Sequence, residues 1–394
     1  MLNYHYTETL LGLKDVVILN IEKVENTKII WIQLKRTTHQ CPNCNTATDK
    51  VHDYRKQKIK DISNFGEKTI LHLRKRRYIC PNCGKKFPEV NSFLGRYQRM
   101  TKRLRAFMIS RFAQVCSTKS ISEECNCSPT TASRIFDEIS YPKPNLPPAI
   151  SIDEFKGNAG GHKFQCILTD PKKRKILDVL ESRKMEELCK YFSEYDIGQR
   201  NNVKYVVIDM SSLFRSMIQT CFPKATIVAD KFHVCRQVTW ALERTRKETQ
   251  KSLPKQQRLY FKKSRWILLK RQENLNEEEQ QQLENMLQLS EEIRNAYLLK
   301  EKFYYFMSST NRMEAATRLK EWNLYAGTIN LPEFNKCVQT FCNWSNEILA
   351  AFDTGLSNGY TEGTNNKTKV LKRISYGVRN FKRFRNRLLY IANS

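Results

Sequence analysis

The chain has 394 residues, 40% of them hydrophobic, and carries 68 Lys and Arg against 40 Asp and Glu for a formal charge of +28. Such a length holds two to four domains with real cores, and no apolar run reaches the roughly 18 residues of a membrane span. A charge so far from neutrality points to a polyanion; membrane-surface binding and simple supercharging are the plainer alternatives. Thirteen cysteines suggest disulfides at first sight. Four of them form two Cys-Pro-Asn-Cys knuckles, and the opening Met1-Leu2-Asn3-Tyr4-His5-Tyr6 lacks the order of a signal peptide, so reduced thiols and a cytoplasmic location are expected.

Residues 1–95 alternate β-rich runs with turns. Strands are expected at 16–21, 29–34 and 69–79, the last dense in positive charge. Cys41 and Cys44 follow the second run, and Cys80 and Cys83 follow the third, with 35 residues between Cys44 and Cys80. Each Cys-x-x-Cys is a tight knuckle presenting two thiolates, and two knuckles close a tetrahedron around structural Zn²⁺. Gly84 frees the backbone to turn after the second knuckle. The plain alternative is a pair of unrelated turns with buried thiols, and His52 and His72 are rival ligands that a full cysteine set makes unnecessary. We read 1–95 as a β-rich zinc-binding module for DNA recognition.

Residues 96–141 read as a helix-turn-helix. A helix over 102–115 places Leu104, Phe107, Met108, Phe112 and Val115 at helical spacing. Asn126 sits where the turn needs a left-handed residue, Ser128 caps the second helix, and Pro129 takes its first position. Thr130, Thr131, Ser133 and Arg134 then face DNA while Ala132, Ile135 and Phe136 pack inward. A proline-rich linker, 142–148, ends this part.

From 149 the pattern mixes strand and helix. Strands are expected at 149–155, 163–169, 175–181, 203–209 and 225–229, and helices at 184–195 and 212–222. Three strands in succession, then helix, strand, helix, strand, is the order of an RNase H-like core. We divide the remainder into the first part of that core (149–235), an all-helical insertion (236–350), and a final core helix with a basic tail (351–394). The fold class is multidomain α/β.

The apolar runs ending at Asp153 and Asp209 put both carboxylates near the ends of central strands; a strand-ending aspartate in a turn is the commonplace alternative. Glu154 points to the opposite face from Asp153. Glu362 opens a basic helix in which Asn365, Asn366 and Lys369 share its face and Lys372 and Arg373 extend it, unless this is only a solvated basic helix. Arg379, Lys382 and Arg383 continue the positive charge. Asp230 and His233, at the end of the fifth strand, are accessory metal or DNA contacts, or a helix cap.

Taken together, the double Cys-Pro-Asn-Cys, Ser151-Ile152-Asp153-Glu154-Phe155, Val207-Ile208-Asp209, Ala229-Asp230-Lys231-Phe232-His233, and Glu362-Gly363-Thr364-Asn365-Asn366 with Lys369 and Tyr376-Gly377 resemble the ISL3 family of bacterial insertion-sequence transposases. The resemblance spans nearly the whole chain. It implies a DDE site of Asp153, Asp209 and Glu362 holding Mg²⁺ (or Mn²⁺) for strand cleavage and transfer. It also implies binding to terminal inverted repeats and target DNA as double-stranded DNA, and an assembly of at least two subunits at the nucleoid. The interval of 153 residues from Asp209 to Glu362, against 56 from Asp153 to Asp209, fits a helical insertion before the glutamate. A sequence-specific DNA-binding regulator with an inert core, or an RNase H-like nuclease that cuts without joining, are the rival functions.

Overall fold

In a computed structural model, residues 11–263, 265–375 and 377–394 are described; the chain start read for a signal peptide and Tyr376 lie outside them. The chain divides into two units, one of Met1–Tyr141, Val370–Gly377 and Asn386–Ser394, the other of Pro142–Lys369 and Val378–Arg385.

The first unit opens with β1 (Val16–Val24) and β2 (Thr27–Leu34), followed by the small separate pair of β3 (His39–Gln40) and β4 (Ala47–Thr48). With β5 (Val51–Asn64) and β6 (Glu67–Ile79), the first two strands form a sheet in the order β1-β2-β6-β5, and β7 (Lys86–Pro88) adds to β6. Ile30, Ile32, Leu71 and Leu73 share its buried side with Ile59, as period-two alternation requires. Inside this layer Arg76 and Glu89 form a buried ion pair, 3.3 Å apart, and the Glu89 carboxylate also accepts the Arg76 backbone N–H at 2.9 Å. The sheet is tied to the following helices by Asp61, whose buried carboxylate accepts from Thr101 at 2.6 Å and from Arg103 Nε at 2.8 Å.

The helix expected over 102–115 is Lys102–Arg111, capped by Thr101. Leu104, Met108 and Phe112 are buried as expected, but Val115 lies beyond the helix end and is exposed. Thr118–Glu124 and Pro129–Phe136 are the helices of the helix-turn-helix. Asn126 between them has φ +50°, and Ser128 accepts from Thr131 N at 3.2 Å. Arg387, from the C-terminal segment of this unit, lies buried with its guanidinium 4.4 Å from the Phe112 ring and donates to Gln114 O at 2.7 Å.

The second unit is built on a five-stranded sheet of β8 (Ala149–Phe155), β9 (Gln165–Asp170), β10 (Lys175–Leu180), β11 (Tyr205–Ile208) and β12 (Thr226–Ala229), in the order β10-β9-β8-β11-β12. The first three are antiparallel, while β8, β11 and β12 run parallel. This is the RNase H-like order read from the sequence. Parallel strands covered on both faces need unbroken apolar runs. Ile150, Ile152, Val206 and Ile208 pack toward Leu188, Phe192, Phe214 and Met217 on one face. Ala149, Val207 and Val228 pack with Ala350 and Ala351 on the other. The helices Met185–Ser193 and Ser212–Cys221 match expectation; Ile197–Asn202 was not foreseen. From Lys231–Ser252 to Ser345–Thr354 the chain is helical, built around Phe303, Trp322 and Phe341 with ring centroids 5.1–5.5 Å apart. The helix Gly359–Ile374 follows.

Candidate active site

Strand register brings three aspartates into one row. Val207 pairs with Ser151 across β11 and β8, and Ile208 pairs with Ala229 across β11 and β12. Two residues beyond the first pair lie Asp209 and Asp153; one beyond the second lie Asp209 and Asp230. All three stand at the carboxyl end of adjacent parallel strands. They share the face of Ala149, Val207 and Val228 because side chains alternate. Glu154 turns to the other face, where it pairs with Arg183 at 2.5 Å.

The helix that carries Glu362 is seated against this row by polar side chains. Thr361, Thr364, Asn365 and Thr368, at helical spacing, are all buried. Thr361 Oγ1 lies 2.8 Å from Thr169 Oγ1 and 3.3 Å from Ser151 Oγ. Ser151 also bonds Asn358, whose backbone N–H donates to Asp230 Oδ1 at 2.9 Å. Asn365 Nδ2 donates to Asp153 Oδ2 at 2.7 Å. Asn365, expected among the DNA contacts, is buried and holds a carboxylate inside the site.

Glu362 stands half-buried at the edge of this seat. His233 lies beside it, with Nδ1 3.1 Å from Asp230 Oδ2 and Nε2 3.7 Å from Glu362 Oε1. Asp230, His233 and Glu362 each offer a ligand atom within 4.8 Å of the others. Sequence reasoning gave Asp230 and His233 only an accessory place; the register is the signal that sets Asp230 in the row.

Burial governs the electrostatics. Desolvation, then the charge of Asp209 and that of Glu362, pushes the Asp153 carboxyl up to about 6, against the pull of the Glu154 N–H and His233. Asp209 is raised by burial and opposed by His233, and its Oδ1 is buried with no hydrogen-bond partner among the described residues. Glu362 is raised by burial and opposed by His233, with Arg236 and Lys369 also pulling it down. His233 is raised by its bond to Asp230. Crowded carboxylates with an orphaned oxygen fit a divalent cation, which prefers hard oxygen donors.

The other expected contacts divide between the units. Thr130 and Arg134 are exposed on the Pro129–Phe136 helix, Ser133 and Thr131 half-buried, and the Thr131 hydroxyl is shared with the Ser128 cap at 2.9 Å. Asn366, Lys369, Arg373, Arg379, Lys382 and Arg383 are exposed and Lys372 half-buried. The Arg379 carbonyl accepts from Gly160 N at 3.0 Å, in the loop after β8.

The four knuckle cysteines converge. Cys44 Sγ lies 3.5 Å from Cys80 Sγ and 3.4 Å from Cys83 Sγ, and Cys41 Sγ lies 3.5 Å from Cys83 Sγ. Hydrogen bonding from Thr46 holds the Cys44 thiol down to about 6, toward the thiolate that binds metal. The knuckles repeat each other: Asn45 N donates to Cys41 O at 2.9 Å and Gly84 N to Cys80 O at 3.0 Å, with φ +56° and +68°. Asn45 thus does for the first what Gly84 does for the second. His52 and His72 are engaged elsewhere, His52 3.1 Å from Asp53 and His72 edge-on to Trp31.

Comparison with known proteins identifies the family. Residues 150–388 match the transposase model of family ISL3. Residues 37–83 match the zinc-finger of the transposases of IS204, IS1001, IS1096 and IS1165, and residues 89–140 match the helix-turn-helix domain of transposase family ISL3. The transposase for insertion sequence element IS1001 of Bordetella parapertussis is 27% identical over 390 residues, 96% of each chain. Transposases for element IS1557 from two Mycobacterium tuberculosis strains are 24% identical over 253 residues, 58% of this chain and 56% of theirs. The four-thiol cluster inside the zinc-finger match supports structural zinc. With the transposase match covering more than half of its length and the two DNA-binding matches ahead of it in order, the chain belongs to the ISL3 family of insertion-sequence transposases.

Proposed function

We propose that this transposase cuts and joins DNA strands at the ends of its element by a metal-dependent DDE mechanism, with Asp153, Asp209 and Glu362 holding Mg²⁺ (or Mn²⁺). The observation that carries this reading is the aspartate row at the strand ends, in which one buried Asp209 oxygen has no hydrogen-bond partner among the described residues. Bound cations there supply Lewis-acid polarisation of the scissile phosphate and offset its charge. The residues of the chain do the rest. Asn365 fixes the Asp153 carboxylate through Oδ2 and leaves Oδ1 to the Glu154 N–H. Asp230 orients His233 through Nδ1, so that Nε2 steadies Glu362. Buried hydroxyls keep the Glu362 helix from shifting and exclude water beneath it.

Binding of the terminal inverted repeats falls to the zinc module and to Thr130, Thr131, Ser133 and Arg134. Asn366, Lys369, Lys372, Arg373, Arg379, Lys382 and Arg383 hold end and target backbones by charge. Two ends call for at least two subunits, and such DNA places the protein in the bacterial cytoplasm at the nucleoid.

The test is cleavage and strand transfer of a labelled element end into a plasmid with Mg²⁺. Asp209→Asn should lose both products by several orders of magnitude while keeping DNA affinity. Retained activity in that variant would overturn the assignment. Cleavage by the native chain without joined product would favour the nuclease, and binding alone the regulator.

A further inference from the structure

The helix Lys231–Ser252, which starts at the aspartate row, carries an unexplained stripe. Phe232, Arg236 and Trp240 recur at i, i+4 and i+8, on one face. Phe232 and Trp240 are 54% and 44% exposed. The Arg236 guanidinium lies 4.4 Å from the Trp240 ring and 5.8 Å from that of Phe232, and its buried Nε has no hydrogen-bond partner among the described residues. Phe232 stands edge-on to His233 with ring centroids 5.6 Å apart. The charge of Arg236 reaches Asp209 and Glu362.

We propose that Phe232, Arg236 and Trp240 form a stacking platform for unpaired nucleotides of the DNA strand beside the cut. Bases lie on the two exposed aromatic faces, and the guanidinium between them takes one of the intervening phosphates. Eight residues of helix span about 12 Å, room for three or four nucleotides at about 3.4 Å per step. Aromatic faces interleaved with arginine are how single strands are held without reading their sequence. A purely structural ladder would gain little from leaving both rings in water, since exposed cation–π pairs are worth only about 0.5–1 kcal/mol. The proposal rests on the site at Asp153, Asp209 and Glu362 being where strands are cut. It adds that the DNA there is locally unpaired.

The experiment compares two probes on the full-length, zinc-replete protein in Ca²⁺. One is a fully paired duplex; the other is the same duplex with a short single-stranded arm carrying 2-aminopurine. The native chain should prefer the armed duplex and change the 2-aminopurine fluorescence. Phe232→Ala and Trp240→Ala should each weaken binding of the armed duplex about 5- to 100-fold while changing that of the paired duplex less than about twofold. Trp240→Phe should retain most of the preference, which separates stacking from a folding defect. No preference in the native chain, or equal losses on both probes, would overturn the platform. Cleavage in Mg²⁺ by the native chain and by Asp209→Asn, run alongside, reports separately on the metal site.

Discussion

Replacing Asp153 by Asn tests the electrostatic reading directly. Burial raises this carboxyl from 3.8 to about 6, a shift of about two units, or about 3 kcal/mol between its two protonation states. Because the folded pKa lies above the unfolded one, the protonated group's contribution is fully present below pH ~4 and is lost as pH rises through ~6. The metal-free native chain should therefore lose about 3 kcal/mol between those limits from this group alone. The amide of the Asp153→Asn variant stays neutral and escapes that loss. Its oxygen can still accept from Asn365, but its NH₂ group then meets the Glu154 N–H, now left without an acceptor, at a cost of about 1–2 kcal/mol. The variant should be about 1–2 kcal/mol more stable than the native chain at pH 8 and equal or less stable at pH 4, while losing cleavage. Urea unfolding across that range, without added Mg²⁺ and with zinc retained, measures it. Added Mg²⁺ should then stabilise the native chain at pH 8 and not the variant. A variant less stable at pH 8, or one whose stability falls with pH as steeply as the native chain's, would refute the argument.

Glu89→Ala strands the buried Arg76 charge and should cost about 3–5 kcal/mol in unfolding of the zinc module, seen by denaturation; a loss below about 1 kcal/mol would mean the pair is solvated. Cys80→Ser should lower zinc content toward zero and destabilise the knuckles, read by metal analysis and near-UV circular dichroism, whereas unchanged zinc would point to other ligands. Arg134→Ala should flatten discrimination between element ends and unrelated duplex, while Lys369→Ala should weaken both alike and reduce the salt slope by about one. The reverse pattern in binding titrations would exchange their roles.

The core strands were legible because double-sided burial writes itself as unbroken apolar runs, as in 149–152 and 205–208. Val51–Asn64 was not, although it is 14 residues long. Half of its side chains are Lys, Arg, Asp or Gln, and only Ile59 and Asp61 are buried. Its strand conformation comes from pairing with Glu67–Ile79 and not from its own pattern. Likewise the sequence marked Glu362 and the amides after it. It did not tell that Asn365 turns inward to Asp153, since helical spacing leaves a boundary residue free to face either way. Arg387 carried no signal of its own within the basic tail, yet it is buried against the Phe112 ring.

The hydroxyl and amide seat of the Glu362 helix has a bearing on how such chains vary. An apolar face tolerates sliding by a turn, about 5.4 Å, because one greasy contact replaces another. Here the same slip would separate Thr361 from Thr169, Asn365 from Asp153 and Asn358 from Asp230. Each buried group so stranded costs about 1–3 kcal/mol. Position is thus set by matched donors and acceptors, independently of how much chain intervenes. The helices between the second aspartate and the glutamate that touch neither the sheet nor the aspartate row can then lengthen or shorten, and the glutamate still arrives at the same place.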